Sequence, residues 1–450
     1  MMCSASHLHV ASARSRSTSV QRFLIVLGSL WLTLEMFDTV FVVGGSNDLS
    51  LFVYSAWILI PLLVSGVPVV APTLKTFFAR DRVGSVLMLL FVATTLLSSV
   101  VSRDPGRSVP YWCVTVMTLC VCAALYKGLG DHFLRVLQVY SVLGSLALLP
   151  VYIRGAIPGL FLGRLAINEY DHPNHLGRMC YTIIAASLAW PSTVLRLGII
   201  GLMFAMLIAT GSRASLLAAV VTLVVFGVAK ARKVARRAIL CAGLGLAVTG
   251  LALLQSGVVE DLSSVLALDS VDRGLGTGFT GRRELWGAMY DVALDHPLLG
   301  VGFRVSSETL PERFVTTLGS VHNGYLSALV EIGLLGILPL LALTALCGAK
   351  LWRGAMAGCP FDRVGLAMLA GYIVMSVFES VLLNVANPTA VLFWFLVVGY
   401  VLQETQQGRR GHDLPRGGVG AAGPCALPRP PRTRFAGVGA LAARTGRVVS

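Results

Sequence analysis

HNGYLSALVEIGLLGILPLLALTALC, residues 322–347, is apolar over the length that crosses a bilayer, yet it opens on a His-Asn pair and carries a single acid, Glu331. Runs of about 17–25 apolar residues span a hydrocarbon core. This run therefore predicts a transmembrane helix with an imidazole at its mouth. The rest of the chain has the same character: 55% of its 450 residues are hydrophobic and 13% charged, with a mean hydropathy of +0.77. Those proportions exclude an ordinary soluble domain. The predicted fold class is an all-α polytopic membrane protein. Its expected spans, about 12 in number by the same length criterion, are 23–44, 51–72, 83–100, 109–126, 134–153, 177–191, 194–210, 212–229, 238–255, 322–347, 364–384 and 388–404.

The net charge of +14 raises the question of nucleic acid, and its distribution answers it. With the N-terminus inside, most of the 36 basic residues fall on the cytoplasmic segments, densest in AKARKVARR at 229–237 and in the tail. That is the positive-inside pattern. The basic excess orients the protein in the membrane, both termini are expected in the cytoplasm, and no nucleic-acid partner is expected. The nine cysteines show no zinc or disulfide spacing. The apolar run after the N-terminal 22 residues is too long for a signal-peptide core.

The chain thus divides into an N-terminal cytoplasmic segment (1–22), nine spans (23–255), a large outward loop (256–321), three spans (322–404) and a tail (405–450). The tail, rich in Gly, Pro and Arg, reads as disordered. Its arginines could serve anionic lipid, or the tail could be inert. A shorter outward loop covers 154–178. In the large loop, GRRELWGAMYDVALDHP (281–297) places Leu285, Trp286, Met289, Val292 and Ala293 on one helical stripe. Such an amphipathic helix lies on the membrane surface or packs on the bundle.

Four arginines are candidates for an anionic substrate. Arg213 sits where two spans meet almost without a loop, in ATGSRASLLAAVV (209–221). Snorkelling to water explains it; so does an anion site built from the guanidinium and the start of a helix after Ser212. Arg282 and Arg283 repeat the arrangement after Thr280 and Gly281, with a salt bridge to Glu284 as the plain alternative. Arg304, after GVGF, is the fourth.

Among the histidines, His172 and His175 in EYDHPNHLG have i, i+3 spacing but no thiolate near them, and Pro173-Asn174 predicts a turn before a helix. Contacts to an acceptor or its surroundings, or a purely structural turn, fit better than a metal site. His296 reads as a helix cap. His322 differs, because a helix N-terminus disfavours the imidazolium. A neutral ring can accept a proton from a hydroxyl. Glu331 lies nine residues on, half a turn away in azimuth and about 13 Å deeper, so it is not expected to orient that ring; Asn323 and Glu308 are the candidates.

Five pieces in order, DHPNHLGR (171–178), TGSRASLLA (210–218), TGRRELW (280–286), HPLLGVGFR (296–304) and HNGYLSALVEIGLLG (322–336), resemble the O-antigen ligase and Wzy-type polymerase superfamily, most of all its exopolysaccharide polymerases. The likeness covers about residues 165–345. It implies a GT-C-like fold and metal-independent, inverting glycosyl transfer at the outer face of the bacterial inner membrane, without a cofactor. The implied donor is a glycan on undecaprenyl diphosphate and the acceptor another glycan. Membrane lipids, a chain-length regulator and a flippase are the further partners this class implies. Carried onto this sequence, Arg213 and Arg282 bind diphosphate and His322 is the base. The doubled arginine leaves Arg282 and Arg283 both open. A ligase transferring to lipid A core or protein shares every motif; a lipid-linked sugar transporter is the third reading, for which paired broken helices are the expected mark.

Overall fold

The computed structural model describes residues 22–33, 81–129, 132–156, 173–231, 282–310, 321–385 and 388–402. Within these the chain is all-helical. In order come α1 (Arg22–Thr33), α2 (Arg82–Val100), α3 (Pro105–Leu129), α4 (Phe133–Ala156), α5 (Pro173–Ser187), α6 (Thr193–Thr210), α7 (Arg213–Lys230), α8 (Arg282–Asp295), a 3₁₀ turn (Ser306–Thr309), α9 (Gly324–Met356), α10 (Pro360–Phe378) and α11 (Pro388–Leu402). Among the described residues, seven helices are long and apolar enough to cross a membrane. The expected spans 51–72 and 238–255, the second half of 23–44 and the tail lie outside the described residues.

Burial sorts the helices into two kinds. In α5, Leu176, Met179, Cys180, Tyr181, Ile183, Ile184 and Ala186 are all buried, as are Val391 through Val398 of α11. Helix α11 is apolar all round and buried, as a core helix is, whereas α5 buries its apolar residues and carries Asn174, His175 and Arg178 in its first turns. By contrast α2 and α6 keep Val83, Val86, Leu97, Val194 and Ile208 exposed, the face a lipid-contacting helix presents. Helix α10 lies along α7, α9 along both α2 and α10, and α11 along α3.

The expected single helix over 322–347 is broken. Gly333 adopts φ 59°, ψ −169° inside α9. The backbone groups released there are taken by the segment after α8: Val301 N–H donates to the Val330 carbonyl (2.8 Å), Gly302 N–H to Glu331 (3.2 Å), while Leu334 and Leu335 N–H donate to Pro297 (2.8 Å) and Leu298 (3.1 Å). The Ser98 hydroxyl from α2 also donates to the Glu331 carbonyl (2.7 Å). Non-helical backbone at membrane depth survives where protein satisfies its polar groups. A Cβ at position 333 would collide with the Leu298 backbone, which is why this turn is a glycine.

Helix α8 packs on the bundle. Leu285, Met289 and Ala293 are buried against Val301, Val305, Leu310, Val321 and Val330, and Trp286 donates to the Val321 carbonyl (2.9 Å). Its other face leaves Tyr290 and Leu294 exposed.

Candidate active site

The starts of α5, α7, α8 and α9 and the end of α10 meet at one end of the bundle. Helix α6 stops at Gly211, in the left-handed conformation (φ 60°), and Ser212 begins α7 at once, so Arg213 is its first residue. The Ser212 hydroxyl donates to Ser215 (3.1 Å) and does not cap the helix. Gly177 of α5 presses on this corner, where an added Cβ would stand 2.6 Å from Ser212 Cβ. Exposed Arg213 therefore sits beside the turn of α5 that carries Arg178.

Arg178 leads to the centre of the cluster, Glu379, the residue just past α10. This carboxylate is 2% exposed. Asn174 Nδ2 donates to Oε1 at 2.8 Å. On the other oxygen, Oε2, Arg178 Nη1 stands at 3.5 Å and His322 Nδ1 at 3.8 Å. Arg282 Nη1 donates to the neighbouring Phe378 carbonyl (3.1 Å). Burial works against the charged form of Glu379; the contact with His322 and the fields of Arg178, His322 and Arg282 outweigh it and hold the carboxyl at about 2, below its ordinary 4.5. One charge pair at ~4 Å in an effective dielectric of ~20 contributes about 4 kcal/mol, so a few such partners offset the several kcal/mol that burying a carboxylate costs.

His322 stands outside α9, at φ 51°. A left-handed backbone costs a non-glycine residue roughly 1–2 kcal/mol. The adjacent Asn323 is the N-cap, its Oδ1 accepting the N–H groups of Tyr325 and Leu326 (3.0 Å each), and such a cap contributes about 1 kcal/mol. Asn323 thus holds the helix start. The Glu308 carboxylate pairs with Arg107. The acid next to the ring is Glu379, a residue inside the expected span 364–384 and not among the sequence candidates. One signal was available, a lone carboxylate in an apolar run, expensive in a membrane and functional by default.

The remaining candidates take separate places. Arg304 also has a positive φ, 63°; its guanidinium lies over the Tyr111 ring, 5.5 Å from the centroid. His296 does not cap α8 with its ring, whose Nε2 meets Arg103 at 3.1 Å. His175 is half-buried in the first turn of α5. His172 lies outside the described residues, as does the side chain of Arg283. Glu284, the alternative partner of Arg282, is exposed. Glu331 does not meet the His322 ring, as expected; it is buried and accepts from Ser306, from Ser327 and from the Arg304 backbone.

Fold and cluster together define a polytopic helical membrane protein with a buried, charged polar site at one end. Within it, residues 198–341 match the family model described as O-Antigen ligase, and this supports the O-antigen ligase/Wzy-type superfamily. The match includes Arg213, Arg282, Arg304, His322 and Glu331; Asn174, Arg178 and Glu379 lie beyond it. No curated protein matches the chain significantly.

Proposed function

We propose that the protein is an inner-membrane glycosyltransferase that polymerises oligosaccharide units carried on undecaprenyl diphosphate, with its site at the periplasmic face and both termini in the cytoplasm. The observation that carries this reading is the convergence of a general-base candidate, His322, with a carboxylate held in its charged form and guanidinium groups at one end of the helix bundle. In this account Glu379 turns Nδ1–H of His322 toward itself and leaves Nε2 to take the proton of an acceptor hydroxyl. That oxygen attacks the anomeric carbon of the donor from the face opposite the diphosphate, the bond from carbon to the diphosphate oxygen breaks, and configuration inverts. Arg213 and Arg282 stabilise the charge of the departing lipid diphosphate, while Arg283 and Arg304 are further contacts that bind the donor diphosphate. Two guanidiniums can do this without a metal ion. His175, in the first turn of α5, and His172 are assigned to the acceptor.

Polymerisation and ligation share this chemistry and differ in the acceptor. Purified protein supplied with a lipid-linked repeat unit should give a ladder of products, unaffected by chelator. A single transfer to lipid A core or protein would instead establish the ligase, and flux of the lipid-linked sugar without product would sink the enzymatic reading. The break at Gly333 is of the kind transporters use, but here the loop 297–302 fills it on both sides, which favours a rigid support for the site.

A further inference from the structure

Among the described residues, two that are not glycine have positive φ, His322 and Arg304. Backbone held in such a region clusters where function requires a fixed side chain. For Arg304 the structure shows what holds it. Its N–H donates to Glu331 Oε2 (3.0 Å), while Oε1 of the same carboxylate accepts from Ser306 (2.5 Å), two residues on, and from Ser327 (3.2 Å). The flanks are tied as well: Arg103 N–H donates to Val301 (3.1 Å) and the Ser108 hydroxyl to Phe303 (2.7 Å). Glu331 itself is 1% exposed, so it cannot be an outward-facing ligand for substrate. A buried carboxylate is costly, and this one is directed at the chain turn that presents Arg304.

We propose that Glu331 is the positioning residue for Arg304: it fixes the 304–306 turn so that the guanidinium stands over Tyr111 as a donor contact, and it touches no substrate itself. Arg107 shares the Tyr111 ring (5.9 Å), but its charge is matched by Glu308, which leaves Arg304 as the cation this turn delivers. The inference rests on the reading of Arg304 as a diphosphate-binding group.

The test measures donor KM and kcat for the full-length protein in detergent, as Arg304→Ala, Glu331→Met, Glu331→Gln and the double variant Arg304→Ala/Glu331→Met. Methionine keeps the volume but accepts no such hydrogen bonds; glutamine keeps a carbonyl acceptor for the Arg304 N–H. Arg304→Ala and Glu331→Met should each raise KM by about tenfold with kcat within about twofold, Glu331→Gln should stay near wild type, and the double variant should be no worse than Arg304→Ala alone. Should Glu331→Met fail to fold, Ser306→Ala replaces it, with a smaller rise in KM that vanishes in the Arg304→Ala background. Multiplying effects in the double variant, or an unchanged KM in Glu331→Met, would overturn the proposal. An unchanged KM in Arg304→Ala would remove the donor role of Arg304 and this proposal with it; loss of product in Arg213→Ala and Arg282→Ala would then still support the transfer reaction.

Discussion

Glu379 is the residue on which the site turns, and its depressed pKa makes a pH prediction. Because the folded value, about 2, lies below the ordinary 4.5, the carboxylate contributes stability that is fully present above about pH 4.5 and is lost as the pH falls through about 2. Glu379→Gln should therefore flatten the acid limb of the thermal stability profile between those values and, by misorienting His322, lower turnover at neutral pH. An unchanged acid limb would contradict the ion-pair account. His322 and the arginines were legible in the sequence because polar residues stand out at the ends of apolar runs. Glu379 was not, because VFESVLLN reads as part of a span and its partners come from residues 174, 178, 282 and 322, far away in the chain. Asn323 was legible as polar, but a helix cap and a ring-orienting group look alike until the backbone is placed.

At the scale of elements, periodicity and length predicted the helices over 83–100, 194–210 and 212–229 nearly to the residue, since a bilayer imposes length and a Gly-Ser corner imposes the stop. The break in α9 was hidden for a physical reason: Gly is common within membrane helices, and GLLG carries no sign that a distant loop will replace its hydrogen bonds. Whether 281–297 lies on the membrane or on the bundle is also decided by a partner, the buried face of Val301, Val305 and Val330. Gly333 joins these elements. Gly333→Ala forces a Cβ onto the Leu298 backbone at a φ that side chains avoid, and should destabilise by about 2 kcal/mol or more. Thermal unfolding in detergent measures this, and an unshifted midpoint would mean that the loop and α9 are not locked together.

For the whole molecule, the arrangement is a division of labour. Buried helices α5 and α11 form a core, lipid-facing helices surround it, and the charged residues that matter are gathered at one end, where α9 brings His322 to Glu379 on one side and Glu331 to Arg304 on the other. The opposite end holds its own polar contacts, such as Lys350 with the Tyr400 carbonyl (3.2 Å). That separation fits transfer at a single membrane boundary. Its most direct test is product formation from a lipid-diphosphate-linked glycan by purified wild-type protein and by His322→Ala, with folding verified for both. The account predicts that His322→Ala turns over at least about 10²-fold more slowly, with the lipid diphosphate released by wild type in proportion to product; equal rates for the two proteins would contradict it.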